Sequence, residues 1–225
     1  FIFSAIFTLL AVYATIMNLS IFEISILLVL ITLAGALFQW PIGYLSDKHD
    51  RRIIVILCAI LAIIFCFLSI AFSGASFANL FVENMVKFNY SSTIIDKGKL
   101  FIFITLLSGM ILPLFSLNLA LVNDYIPKEK FVAAGAGLNV IFGLSAMAGP
   151  IICSSLMHKF GPNGFFLHLI IFLFLIVVFG IYRMTKRQSK DNPDSTFTPL
   201  PRDITPLGIE LDPTTGADLS NTDKK

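Results

Sequence analysis

The chain has 225 residues, of which 56% are apolar and only 13% charged, with a mean hydropathy of +0.87 and a formal net charge of +2. A soluble domain carries about 25% charged residues, and 23 phenylalanines against 14 acidic side chains leave too little polar surface to face water. The balance places the chain among integral membrane proteins and gives no electrostatic reason to expect a nucleic-acid partner.

A bilayer core takes about 20 apolar residues per helix. Six stretches approach or meet that length, at residues 1–17, 24–45, 53–72, 100–122, 132–157 and 165–184. The first opens Phe1-Ile2-Phe3 with no basic n-region and no small-residue cleavage site, so it reads as part of a longer hydrophobic helix and not as a signal peptide. Helices are expected because lipid offers the backbone no partners and the runs lack the alternation of barrel strands. Small residues recur where helices should touch, as in Ala133-Ala134-Gly135-Ala136-Gly137 and Gly143-Leu144-Ser145-Ala146. Cys58, Cys66 and Cys153 all lie in apolar runs and read as packing residues.

Lys and Arg set the orientation. The side holding the connection between the second and third runs carries Lys48, Arg51, Arg52, Lys128, Lys130, Arg183, Lys186 and Arg187, eight in all. The opposite side carries four, Lys87, Lys97, Lys99 and Lys159, and no Lys or Arg sits in the interior of a run. The positive-inside rule therefore puts both ends of the chain in the cytoplasm of a multi-pass protein. The short loops and richness in Phe and Ile fit a bacterial inner membrane.

Two regions read as non-spanning. Residues 73–99 form a mixed external connection, within which 77–88 has the spacing of a short interfacial helix. Asn89-Tyr90-Ser91 matches a glycosylation sequon, a triplet too common to carry weight. Residues 185–225 turn polar and proline-bearing, and are expected as a disordered cytoplasmic tail after a six-helix domain at 1–184.

The most specific segment is Gly43-Tyr44-Leu45-Ser46-Asp47-Lys48-His49-Asp50-Arg51-Arg52, between the second and third runs. It resembles the cytoplasmic loop signature of the major facilitator superfamily, Gly-x-Leu-x-Asp-basic-x-Gly-basic-basic. Gly43, Leu45, Asp47, Lys48, Arg51 and Arg52 fit, while Asp50 stands where the family has Gly, which leaves the form of the turn open. A carboxylate at a helix end can accept from the N–H groups opening the next helix while nearby cations hold it. The resemblance implies a conformational latch in which Asp47 and Arg51 brace the two halves of a transporter, supported by Gly43, Lys48 and Arg52.

A second segment, Leu117-Asn118-Leu119-Ala120-Leu121-Val122-Asn123-Asp124, resembles the cytoplasmic end of a fourth helix of the same family. The run Gly143–Pro150, closing in Gly149-Pro150, resembles its fifth helix. Pro150 removes a backbone donor and can bend that helix, so Gly149 and Pro150 are expected as a hinge or packing point. Cys153 and Ser154 stand where antiporter-type members have glycines, so antiport is not supported.

Ionisable groups are scarce at membrane depth, where a coupling residue would be needed. Glu23 lies at the external boundary, Asp124 at the cytoplasmic edge, and His168 about one turn into the last run. Each also has a structural reading, as a helix-start charge, a loop anchor and a packing residue. Asn18, Gln39, Ser116, Asn118 and Asn139 are polar residues that can face a cavity or bond between helices, with Asn118 and Asn139 deepest. The three histidines lack metal-ligand spacing, and neither a nucleophile–base pair nor a phosphate-binding loop appears, so no enzyme, metal or cofactor is expected.

The reading is an all-α six-transmembrane-helix bundle, one half of a major facilitator fold and more consistent with the C-terminal half. By resemblance it moves an unknown small solute by alternating access, with the bilayer and a missing six-helix half as partners. The alternatives are a stand-alone six-helix scaffold or a degenerate half without transport, and more distantly a sensor that signals through its tail.

Overall fold

A computed structural model describes residues 1–72, 97–123, 126 and 130–186. All secondary structure there is helical: α1 Ile2–Ile16, α2 Ile21–Lys48, α3 Arg51–Phe72, α4 Lys97–Asn123, α5 Phe131–Phe160 and α6 Gly164–Lys186. The expected connection at 73–96, including the stretch 77–88 and the sequon at Asn89, lies outside the described residues, as do Asp124 and nearly all of the expected tail.

Local chemistry sets the ends of these helices. α1 stops at Met17 because Asn18 adopts a left-handed φ of 55°, which a short polar side chain tolerates. Asn18 N–H then bonds Thr15 O at 3.0 Å, and Leu19 N–H bonds Ala14 O at 3.1 Å, which satisfies carbonyls a helix end would otherwise orphan. α2 starts two residues later with a reciprocal cap. Ser20 Oγ accepts the Glu23 N–H, and Glu23 Oε2 accepts the Ser20 N–H at 2.7 Å. Asn18 thus shapes a turn, and Glu23 begins a helix. α5 ends at Gly161, whose φ of 70° suits a residue without a Cβ.

Five helices, α2 to α6, are long and apolar enough to cross a membrane, and α1 is a shorter apolar helix of 15 residues. At 1.5 Å per residue α1 covers about 22 Å, against about 45 Å for the 30 residues of α5. Basic residues expected in the connections belong instead to the terminal turns: Arg51 and Arg52 open α3, Lys97 and Lys99 open α4, and Arg183 and Lys186 close α6.

The bundle pairs consecutive helices and helices distant in the chain alike. α4 lies against both α2 and α3, α3 against α6, and α5 against α1 and α6. α3 buries Ile54, Cys58, Ala62, Cys66 and Ile70, a stripe at helical spacing that faces inward. Ile104, Leu107, Ile111 and Leu114 of α4 and Phe165, Phe166, Leu169 and Leu173 of α6 complete the core with Ile6, Leu10 and Tyr13 of α1. Tyr13 sits between Phe165, stacked at 5.5 Å, and Phe166, edge-on at 5.1 Å. The apolar window of α4 is 56% buried and that of α5 only 11%, so α4 is central and α5 peripheral. Outward faces such as Val29, Leu33, Leu37 and Trp40 are apolar and exposed, as a membrane surface requires.

Candidate functional site

The α2–α3 junction is two residues long, His49 and Asp50. Asp50 caps α3: its Oδ1 accepts the Arg52 N–H at 2.9 Å, and its carbonyl accepts the Ile53 N–H at 2.9 Å. Asp is among the best N-caps, and Asn18 is the one non-glycine with positive φ among the described residues. The turn therefore uses Asp50 as a capping acceptor and has no need of glycine there.

Around this turn only some charges follow helix polarity. Lys48 and His49 sit at the C-terminal end of α2, where partial negative charge accumulates, and Asp50 precedes the positive N-terminal end of α3. Asp47 in the last turn of α2 and Arg51 and Arg52 in the first turn of α3 stand against their own helix dipoles. Arg51 Nη2 lies 3.3 Å from Asp47 Oδ1, an ion pair that bridges the two helices across the junction. Arg51 and Arg52 are both buried, at 8% and 4% exposure, while Asp47 and Lys48 are exposed. Lys48 Nζ lies 4.3 Å from the centroid of the Tyr44 ring, one turn back on the same face. Gly43 and Ser46 turn inward, with Ser46 Oγ donating to Gly43 O at 2.9 Å. The structure thus brings Gly43, Asp47, Lys48, Arg51 and Arg52 into one compact corner with a carboxylate on its outside.

Gly149 and Pro150 lie where α5 crosses α1. A Cβ at Gly149 would come within 2.1 Å of Ser4 Oγ and 2.9 Å of the Phe1 carbonyl oxygen, so only glycine fits. The Ser4 hydroxyl lies 2.9 Å from Phe1 O and 3.2 Å from Ser145 O, within reach of the α5 backbone. Pro150 lacks the N–H that would bond Ala146 O, so the ladder of α5 is interrupted beside this contact.

The remaining candidates fall in separate places. Glu23 Oε1 accepts from Lys97 Nζ at 2.8 Å, so one carboxylate both caps α2 and holds the start of α4. His168 is fully buried, with its ring centroid 4.7 Å from that of Phe172 and no hydrogen-bond partner for either nitrogen among the described residues. Asn118 donates to Leu114 O at 2.7 Å. It also lines a groove of roughly 370 Å³ with Phe1, Ile111, Leu114, Phe172 and Phe179. Asn139 is exposed on α5. Among the described residues no group of three or more His, Cys, Asp or Glu is placed to hold a metal ion, and Cys58, Cys66 and Cys153 are buried free thiols.

A feature that composition alone does not reveal is the seam between α2 and α4. Leu112 fills the space over Gly35, where a Cβ would meet Leu112 Cδ1 at 2.2 Å, and Phe38 covers Gly109. Next to them Gln39 Nε2 donates to Ser116 Oγ at 2.9 Å, so two of the polar residues singled out in the sequence satisfy each other. The glycines inside apolar helices were the available signal, since such residues mark close helix contact in membranes.

The family model described as Major Facilitator Superfamily matches residues 1–214, nearly the whole chain. The chain belongs to the major facilitator superfamily. It is also 26% identical over 156 residues to the uncharacterized MFS-type transporter YfkF of Bacillus subtilis (strain 168). That alignment covers 69% of this chain and 34% of the relative, so the matched part spans about a third of the relative's length. No solved structure matches the chain. Superfamily membership and the apolar helices agree with a multi-pass membrane protein of a transporter family.

Proposed function

We propose that the protein is a secondary transporter that moves a small solute by alternating access, this six-helix bundle rocking against a second one. The observation that carries the reading is the α2–α3 corner. A carboxylate, Asp47, is held outward on an exposed edge by Arg51, whose guanidinium is itself buried. Such a fixed, oriented charge can dock onto the N–H groups of a facing helix end and be released when the bundles part. Lys48 and Arg52 support it, and the cytoplasm is the side they face by the positive-inside rule.

The second bundle sits against the exposed faces of α5 and α2 in this reading, with the solute near the midplane between bundles. Asn139 supports that placement, because an exposed amide in an apolar helix faces water or a polar partner more favourably than lipid tails. Gly149 and Pro150 give α5 its point of flexure, and Asn118 offers its amide to a groove. If transport is coupled to protons, His168 is the buried titratable candidate here, while Glu23 acts as an external brace.

The test is accessibility at Asn139→Cys to a membrane-impermeant maleimide, applied in turn to each face of vesicles holding the intact protein. Alternating access predicts labelling from both faces, and Asp47→Asn raises the rate at the cytoplasmic face by freeing the latch. Labelling from one face alone, indifferent to Asp47→Asn, fits a scaffold and ends the transport reading.

A further inference from the structure

We infer that Gln39 is a positioning residue: its hydrogen bond to Ser116 pins α2 to α4 directly above Pro41, and the latch-bearing end of α2 pivots there. The inference rests on the latch reading above and names the device that aims it.

α2 and α4 run side by side in the same direction and are stapled at two levels. Glu23 bonds Lys97 at the outer end, and Gln39 bonds Ser116 further in. The two staples are sixteen residues apart on α2, about 24 Å along a helix. Between them the helices interlock, Leu112 over Gly35 and Phe38 over Gly109, so this length of α2 moves with α4. Ser116 is buried at 3% exposure, and a bond there does not exchange freely with solvent.

Past Gln39 the character of α2 changes. Pro41 follows two residues later and leaves the Leu37 carbonyl without its helical donor, the commonest local cause of a bend in a long helix. The buried face beyond it is Ile42, Gly43 and Ser46: one branched side chain and two positions with little to interlock. Above the proline, the buried face includes Leu27 and Ile31, seated as ordinary core. A weak point in the backbone thus lies between a keyed segment and a smooth one. The smooth segment, residues 42–48, ends at Asp47 and Lys48. Gln39 is the last polar anchor on the keyed side, and it fixes where the bend occurs.

The experiment uses the intact protein in lipid nanodiscs with two pairs of spin labels. His49→Cys with Lys186→Cys reads the latch corner against the end of α6, and Ser25→Cys with Ile102→Cys reads α2 against α4 above the pin. All four sites are exposed, whereas the three native thiols are buried. Gln39→Ala is expected to widen the His49–Lys186 distance distribution, with roughly a threefold change in the population of its major component, the scale of one interhelical hydrogen bond in a membrane. The Ser25–Ile102 distribution should stay as in the wild type. Ser116→Ala should reproduce the effect from the other side, and Ser116→Thr, which keeps the hydroxyl, should restore the wild-type distribution.

An unchanged His49–Lys186 distribution in both alanine variants overturns the inference. So does equal widening of both pairs, because the bond would then only hold the helices together. Asp47→Asn in the same label background tests the latch separately. If it shifts the population while Gln39→Ala does not, the pivot is wrong and the latch stands. If it is silent while Gln39→Ala acts, the latch is wrong and the pivot stands.

Discussion

Where α2 meets α4, side chains do the interlocking: Leu112 lies over Gly35, Phe38 over Gly109, and Gln39 bonds Ser116. Where α1 meets α5, backbone approaches backbone, with Gly149 against Ser4 and the main chain of Phe1. A side-chain seam can absorb a small change by a rotamer shift, whereas a backbone seam has nothing to rearrange and must open. The first keeps its helices in register along their length. The second is a close approach on a helix that is otherwise peripheral. The comparison assigns the stiff side of the bundle to α2 with α4 and the yielding side to α5.

Substitutions can break that assignment. The largest effect is expected from Gly149→Val, where the new side chain meets the main chain of Phe1 and cannot be accommodated by a rotamer. A loss of about 3 kcal/mol is expected, at the upper end for overpacking, read by reversible unfolding in mixed detergent. A loss no greater than that of Gly35→Ala would remove the distinction between the seams. Gly35→Ala should cost about 1 to 2 kcal/mol, because the added Cβ displaces the end of Leu112 and also meets Leu112 Cβ at 2.8 Å, so the helices must part slightly. Combining it with Leu112→Ala, which removes Cγ and Cδ1 but keeps Cβ, should recover part of the loss, and simple additivity of the two would show that they do not share the contact.

Gln39→Leu should be milder, about 0.6 kcal/mol, since interhelical hydrogen bonds in membranes average near that value. Smallest is Lys97→Ala, which leaves Glu23 its capping role and removes only an exposed ion pair. Its effect on the melting temperature should disappear in about 1 M salt, where such pairs are screened. A salt-independent loss would mean that Lys97 packs as well as pairs.

The sequence carries these two seams unequally. Helix positions were legible within a few residues, because length and hydropathy alone decide them in a membrane. The closeness of the charged residues at the α2–α3 junction was legible too, since they follow one another in a short stretch. Partnership between helices was not. In lipid the outward and inward faces of a helix are both apolar, so Leu33, exposed, and Ile31, buried, look alike in the chain. Nothing in the order of residues says that Gln39 finds Ser116, 77 positions away. Polar residues are no easier to read: Asn18, one of the cavity candidates, takes a left-handed turn, while Glu23 caps α2, in line with its helix-start reading. Gly149, in the Gly-Pro element, lies where α5 meets Ser4 and the main chain of Phe1.

Asp50 has a consequence for how relatives of this chain are recognised. A pattern that demands glycine at that place records one solution to a requirement that is more general: the residue must begin a helix and offer its first N–H groups an acceptor or open space. Aspartate, asparagine and serine meet it as well as glycine does. A search that describes the place by this duty, and not by its commonest letter, would gather chains like this one on physical grounds. Among those chains, variation at the place would follow the strength of the cap and leave the fate of the neighbouring charges untouched.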